Sequence, residues 1–238
     1  MRGTATRLAS QLSHLTRNEP FSASNLIALR ELLARRLQPA APDEMSSETP
    51  HAAVLVPLCN VEGKPSILFE VRGNLRSHAG EVSFPGGKRD PDDKSLMDTA
   101  LRETQEEIGL VPEQVEILGE LGPPELSLRG LRVSPFVGFV HSSPHYGISP
   151  QSLDRPLASL CLESLVLNTT EVAQVFHLPV EMLKEQRRLR EHLFRDLHPY
   201  WAVDVTDRVG SGDQVRSRLE IWGLTGWYLN LLMRSVAG

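Results

Sequence analysis

The chain has 238 residues, 40% of them apolar, with 25 basic and 30 acidic side chains and a formal net charge of −5. Such a length can bury a substantial core, and one domain with terminal additions is expected rather than two. The acidic balance excludes a surface that coats nucleic acid, no apolar run is long enough to span a membrane, and two cysteines, Cys59 and Cys161, are too few for a disulfide scaffold or a zinc site.

The first 18 residues carry Arg2, Arg7 and Arg17 and no acid, a composition found in import signals. Within them Arg7-Leu8 and His14-Leu15 resemble the ends of the amino-terminal peroxisomal nonapeptide, and the same stretch suits a mitochondrial presequence. Residues 1–20 are therefore read as a targeting segment for the peroxisome, or alternatively the mitochondrion, with an import receptor as its partner. Ser24 or Asn25 can cap a helix over Leu26 to Leu37, whose Leu26, Leu29, Leu33 and Leu37 form one stripe, expected to pack on the outside of the domain. Pro39 to Pro50 reads as a linker, so residues 21–50 are assigned as helix and linker and residues 51–235 as the folded domain.

Ala52 to Leu58 and Ser66 to Arg72 are β-favouring runs joined at Glu62-Gly63-Lys64, a hairpin signature that delivers Arg72 to a strand end. Lys94 to Ile108 lacks Pro and Gly, with Asp92 or Asp93 as cap and Gly109 as terminator, and reads as a helix. Its Met97, Leu101, Thr104 and Ile108 form a packing stripe, whereas Glu103, Glu106 and Glu107 gather on another side. Three carboxylates so spaced repel one another and oppose the helix dipole. A bare triplet of this kind is ordinarily a solvated face. A bound Mg²⁺ or Mn²⁺ would remove its cost and could hold phosphates as well.

Val115 to Leu121 and Leu131 to Val140 read as further strands, and Glu171 to Leu178 as another that passes at Pro179 into a helix. Arg187, Arg188 and Arg190 read as a solvated helix end, His192 to Val205 as a hairpin, and Gly226 to Met233 as a core helix, with Trp222 and Trp227 in the core. Both cysteines are expected to be buried. The histidines show no ligand spacing.

Gly87 followed by Arg102, Glu103, Glu106, Glu107, Gly109 and Leu110 resembles the signature box of the Nudix hydrolases. Here the intermediate acid is Asp93 in place of Glu, Thr104 takes a usually apolar position, and the stretch from Gly87 to Arg102 is one residue longer than the general box. The longer loop is similar to that of the coenzyme A diphosphatase subgroup. So is the upstream stretch with Leu68, Phe69, Arg72, Arg76, Gly80 and Phe84-Pro85-Gly86-Gly87, although Gly73 replaces the usual Ser or Ala and Arg72 to Arg76 is one residue tighter.

The resemblance implies an α+β fold, a Nudix α/β/α sandwich with a mixed central sheet. It implies metal ligands at Glu103, Glu106, Glu107 and the Gly87 carbonyl, with Arg102 bracing the carboxylates. Substrate contacts are expected from Arg72, Arg76, Gly80, Phe84 and Gly86, and Glu171 is a further acid near the metals. The implied reaction hydrolyses the diphosphate bond of coenzyme A or its thioesters. The alternatives are another nucleoside diphosphate derivative, such as ADP-ribose or a damaged nucleotide, or a non-catalytic binding module.

Overall fold

A computed structural model of the chain describes residues 18–36, 49–73, 80–144, 153–209 and 218–237. The address-like stretch from Arg7 to Leu15, most of the linker and Arg76 lie outside these residues.

Helix α1 (Ala23–Arg36) leads into strand β1 (His51–Val61), which turns back as β2 (Lys64–Arg72). The two central turn residues, Glu62 and Gly63, both have positive φ, +51° and +72°. That geometry matches the twist of a tight hairpin and fixes the β1–β2 register, Val61 opposite Lys64. The short strands β3 (Val82–Ser83) and β4 (Gly86–Lys88) precede helix α2 (Leu96–Ile108). Then follow β5 (Val115–Glu120), β6 (Glu125–Leu126), β7 (Arg132–Val140), β8 (Val172–Pro179), β9 (Leu189–Phe194), β10 (His198–Asp204), β11 (Glu220–Ile221) and helix α3 (Gly223–Ala237).

The main sheet runs β3-β2-β1-β7-β5, with β4 on β1, β6 on β7 and β8 on β2. Strands β1 and β7 are parallel and the remaining pairs antiparallel, so the sheet is mixed, as expected. A second antiparallel sheet, β11-β10-β9, packs with α3. Alternation along the strands assigns the two faces of the main sheet. Leu55 of β1 clusters with Ala100 of α2, and Leu68 of β2 with Ile108 and Leu110. The opposite face, with Val56, Ile67 and Phe69, forms the larger core with α1, α3 and the small sheet.

Helix α1 packs through its stripe, Leu26, Leu29 and Leu33, each 1% exposed, onto that larger core, while Arg30, Glu31 and Arg35 face outward. Asn60 ties the entry to α1 onto β1. Its side chain accepts from the Phe21 N–H at 2.7 Å and donates to the Phe21 and Leu157 carbonyls. All three bonds are buried or nearly so, which is how a fully buried amide is tolerated.

Four local expectations are corrected. After Pro179 the chain forms 3-10 turns, Val180–Lys184 and Gln186–Arg188, in place of an α-helix. Arg188 turns inward there, 6% exposed, and donates to both oxygens of Asp207 and to the Asp204 carbonyl, so it is no solvated helix end. Cys59 is buried, but Cys161 is exposed. Trp222 is 42% exposed, whereas Trp227 is buried against Phe194.

Candidate active site

Helix α2 starts at Ser95, not at Asp92 or Asp93: the Ser95 hydroxyl accepts from the Asp98 N–H and donates to the Asp98 carboxylate. Gly109, φ +74°, ends it in the left-handed conformation. The buried stripe is Ala100, Thr104, Glu107 and Ile108, with Leu101 half-buried against the core; Met97, expected on this stripe, is 37% exposed. The stripe is therefore rotated from the apolar-only reading, because Glu107 is on the inward side at 2% exposure.

Asp93 does not cap the helix but anchors Arg102. The guanidinium donates to both Asp93 oxygens at 2.9 and 3.0 Å and to the Lys88 carbonyl at 3.1 Å. It also lies 3.0 Å from Glu103 and from Glu106. Asp93 further accepts from the Thr99 hydroxyl and the Asp90 N–H, both at 2.8 Å. One arginine thus links β4, the loop before α2 and two helix carboxylates. The fork on Asp93 holds that carboxyl far below its ordinary range and raises the arginine further.

Because the Asp93 pKa is depressed by folding, the pair stabilises the chain above about pH 4, the unfolded value, and the contribution is lost as the pH falls below it. Asp93→Asn should lower stability by about 1–2 kcal/mol at pH 7, the scale of a charge-assisted hydrogen bond, because the partly exposed Arg102 keeps Glu103 and Glu106 as partners. Thermal unfolding between pH 7 and pH 2.5 should show a shallower loss for the variant than for wild type.

The glycines bring the loop onto the carboxylates. The Gly86 N–H donates to Glu107 at 2.8 Å. A Cβ on Gly87 would stand 2.5 Å from the Glu103 carboxyl carbon, so Glu103 occupies the space this glycine leaves open. Glu106 is the outer acid, its side chain 57% exposed.

Sequence reasoning missed Glu70. On β2 it shares the α2-facing side with Leu68 and Arg72 by the two-residue period, and it is 1% exposed. One oxygen accepts from the Ser83 hydroxyl at 2.8 Å and lies 3.8 Å from Arg72; the other, Oε2, has no hydrogen-bond partner among the described residues. Burial drives the pKa of Glu70 and of Glu107 upward, and each of the two also has acidic neighbours that raise it. Burial raises Glu103 too, against the opposing pull of Arg102. The Glu171 charge acts on Glu70 and Glu103, and its carboxylate is held by the Asn168 amide at 3.3 Å.

Among the described residues no three acidic, imidazole or thiol groups already converge closely enough to outline an ion. The chemistry of the donor set nevertheless fits a hard divalent cation: the side-chain donors are carboxylate oxygens, and one buried oxygen, Oε2 of Glu70, is orphaned among the described residues. Glu103, Glu106 and Glu107 are the helix residues available to hold it.

A cleft of about 690 Å³ opens from this corner. Arg72, Gly86 and Gly87 line it, together with the apolar Leu128, Leu193 and Trp222 and the basic Lys88, Arg129 and Arg195. Two further residues expected as substrate contacts are not among the described lining of this cleft. Phe84 is 2% exposed and stacked on Phe69 at 5.0 Å, a core residue of the opposite face. Gly80, φ +78°, is exposed, closes the loop by donating to the Arg72 carbonyl and does not line the cleft. A second cavity of about 300 Å³ beside α1 and α3 is almost wholly apolar, and no acid lines it.

A family profile described as NUDIX domain matches residues 49–196. The chain is 36% identical over 203 residues to the human mitochondrial coenzyme A diphosphatase NUDT8, covering 84% of this chain and 75% of that protein. It is 35% identical over 222 residues to a protein of Yersinia enterocolitica described as uncharacterized Nudix hydrolase NudL, covering 92% and 98% respectively. Among solved structures, a MutT/nudix family protein from Enterococcus faecalis aligns with a TM-score of 0.41 at 16% identity, over 96% of this chain and 72% of that one. With the profile spanning more than half the chain and these relatives matched along most of their length, the chain belongs to the Nudix hydrolases.

Proposed function

We propose that this hydrolase cleaves the diphosphate bond of coenzyme A and its thioesters, giving 3′,5′-ADP and 4′-phosphopantetheine or its acyl form, with Mg²⁺ or Mn²⁺ as cofactor. The observation that carries the substrate class is the 36% identity to a protein named as a coenzyme A diphosphatase. The cleft supports it: a diphosphate held at Arg72 leaves the apolar side chains of Leu128, Leu193 and Trp222 for a long, weakly polar arm. A bound divalent cation supplies Lewis-acid polarisation of a phosphoryl oxygen. The chain's own residues orient and hold. Arg72 offers a planar fork to phosphate oxygens, the Gly86 N–H fixes the Glu107 carboxylate, and Arg102 braces Glu103 and Glu106.

The compartment reading changes. The peroxisomal reading of Arg7 to Leu15 finds no support among the relatives, since the human one is named as mitochondrial and the NudL proteins are bacterial. The mitochondrial alternative is the one that agrees with a relative's name.

Mass spectrometry of products after incubation of the protein and Mg²⁺ with coenzyme A, ADP-ribose and 8-oxo-dGTP tests the substrate. The expected outcome is 3′,5′-ADP and 4′-phosphopantetheine, with the other two substrates cut more slowly. Intact coenzyme A beside cleaved ADP-ribose would overturn the substrate class and leave the hydrolase standing.

A further inference from the structure

Glu70 is hard to explain as a structural residue. It sits 1% exposed on the α2-facing side of β2, where Leu68 of the same strand packs against Ile108. A buried carboxylate ordinarily fills its acceptor sites with donors or a cation, because the charge has lost its water. Among the described residues Oε1 accepts from Ser83, while Oε2 has no hydrogen-bond partner. Arg72 forms an ion pair with Oε1 at 3.8 Å, beyond hydrogen-bond distance, and leaves Oε2 unserved. The remaining charges acting on Glu70 come from Glu171 and Glu103, and Glu70 in turn acts on Glu107. A neutral side chain of the same size would avoid all of this.

We propose that Glu70 belongs to the divalent-cation site, supplying from the sheet a carboxylate that meets Glu103 and Glu107 from the helix. The inference rests on the metal-dependent reading above. It does not follow from the Nudix box, which begins at Gly87. The site then has two supports, strand β2 beneath and helix α2 above, and cation binding ties them together across the α2-facing layer. It also separates the roles of neighbouring β2 residues: Glu70 faces the cation and Arg72 the phosphate.

The test compares wild type, Glu70→Gln and Glu70→Asp by Mn²⁺ titration, read as free Mn²⁺ by electron paramagnetic resonance, and by thermal unfolding in EDTA and in Mn²⁺. In EDTA, Glu70→Gln should melt higher than wild type, because a desolvated carboxyl group with one oxygen unserved is gone. In Mn²⁺ the order should reverse, with the dissociation constant raised at least about tenfold or one ion fewer bound. Glu70→Asp keeps the charge but shortens the reach, so it should weaken Mn²⁺ binding without the gain in EDTA, and it serves also if the glutamine variant fails to fold. Unchanged Mn²⁺ stoichiometry and affinity in a folded variant would overturn the assignment of Glu70 alone. Absence of Mn²⁺ binding by wild type would overturn the metal-dependent reading, and this inference with it.

Discussion

Glu107→Gln should lower kcat/KM by at least about 10³-fold while leaving the metal-free chain as stable as wild type or more so. The two halves of this expectation come from one observation. Glu107 is 2% exposed, and its described hydrogen-bond partner is the Gly86 N–H. A glutamine can keep that bond through its amide oxygen, so the loop-to-helix contact survives. What disappears is a buried carboxyl group, raised in pKa by desolvation and by Glu70. A residue kept for stability would show the opposite sign, because removing one side of a buried ion pair strands the other. Arg102 provides that contrast nearby: its partners are Asp93, Glu103 and Glu106, and its half-buried guanidinium would be left unpaired if they were lost. Steady-state kinetics with Mg²⁺, beside melting curves in EDTA, separate the cases. A large loss of activity accompanied by a comparable loss of stability would show that Glu107 acts through the fold and not on the reaction.

The fold was legible wherever a residue type has one conformational use. Glu62-Gly63 between two β-branched runs specifies a hairpin, and the observed register agrees. A stretch free of Pro and Gly before Gly109 specifies a helix, and α2 ends there. The tiny strands β3, β4, β6 and β11, two or three residues each, carry no pattern of their own; their neighbours in the sheets define them. The chain after Pro179 shows a stronger conflict. Local helix preference over residues 180–190 loses to the buried fork of Arg188 on Asp207, a contact between residues 19 apart. At the site, spacing brought Arg102, Glu103 and Glu107 together, but it could not say that Glu107 faces inward while Glu106 stays at the rim. Glu70 left one usable signal: a lone acid in Ile67-Leu68-Phe69-Glu70-Val71, a run apolar on both faces, where an outward position would be needed to solvate it and none exists.

The adjacent glycines should respond to the same substitution in opposite ways. Gly86 has φ +150°, and a Cβ there would lie 2.3 Å from the Ala53 carbonyl oxygen and 2.6 Å from the Val54 Cα. Both are backbone atoms of β1, the central strand that pairs with β2, β4 and β7, so they cannot move aside without breaking the ladder. Gly86→Ala should therefore cost about 4 kcal/mol or more, from overpacking together with an unfavourable backbone conformation, and should lower the melting temperature by about 10 °C or more, or prevent folding. At Gly87 the added methyl would instead meet the Glu103 carboxylate, 2.5 Å away, which is the far end of a flexible side chain. Gly87→Ala should fold with a melting temperature close to wild type, because Glu103 can rotate off. That rotation takes the carboxylate away from its place beside Arg102 and out of the donor set, so kcat/KM should fall by about 10²-fold or more. Melting curves and kinetics on the pair distinguish a glycine required by the sheet from one required by the carboxylate beside it. If Gly87→Ala kept full activity, Glu103 would not need the position it holds.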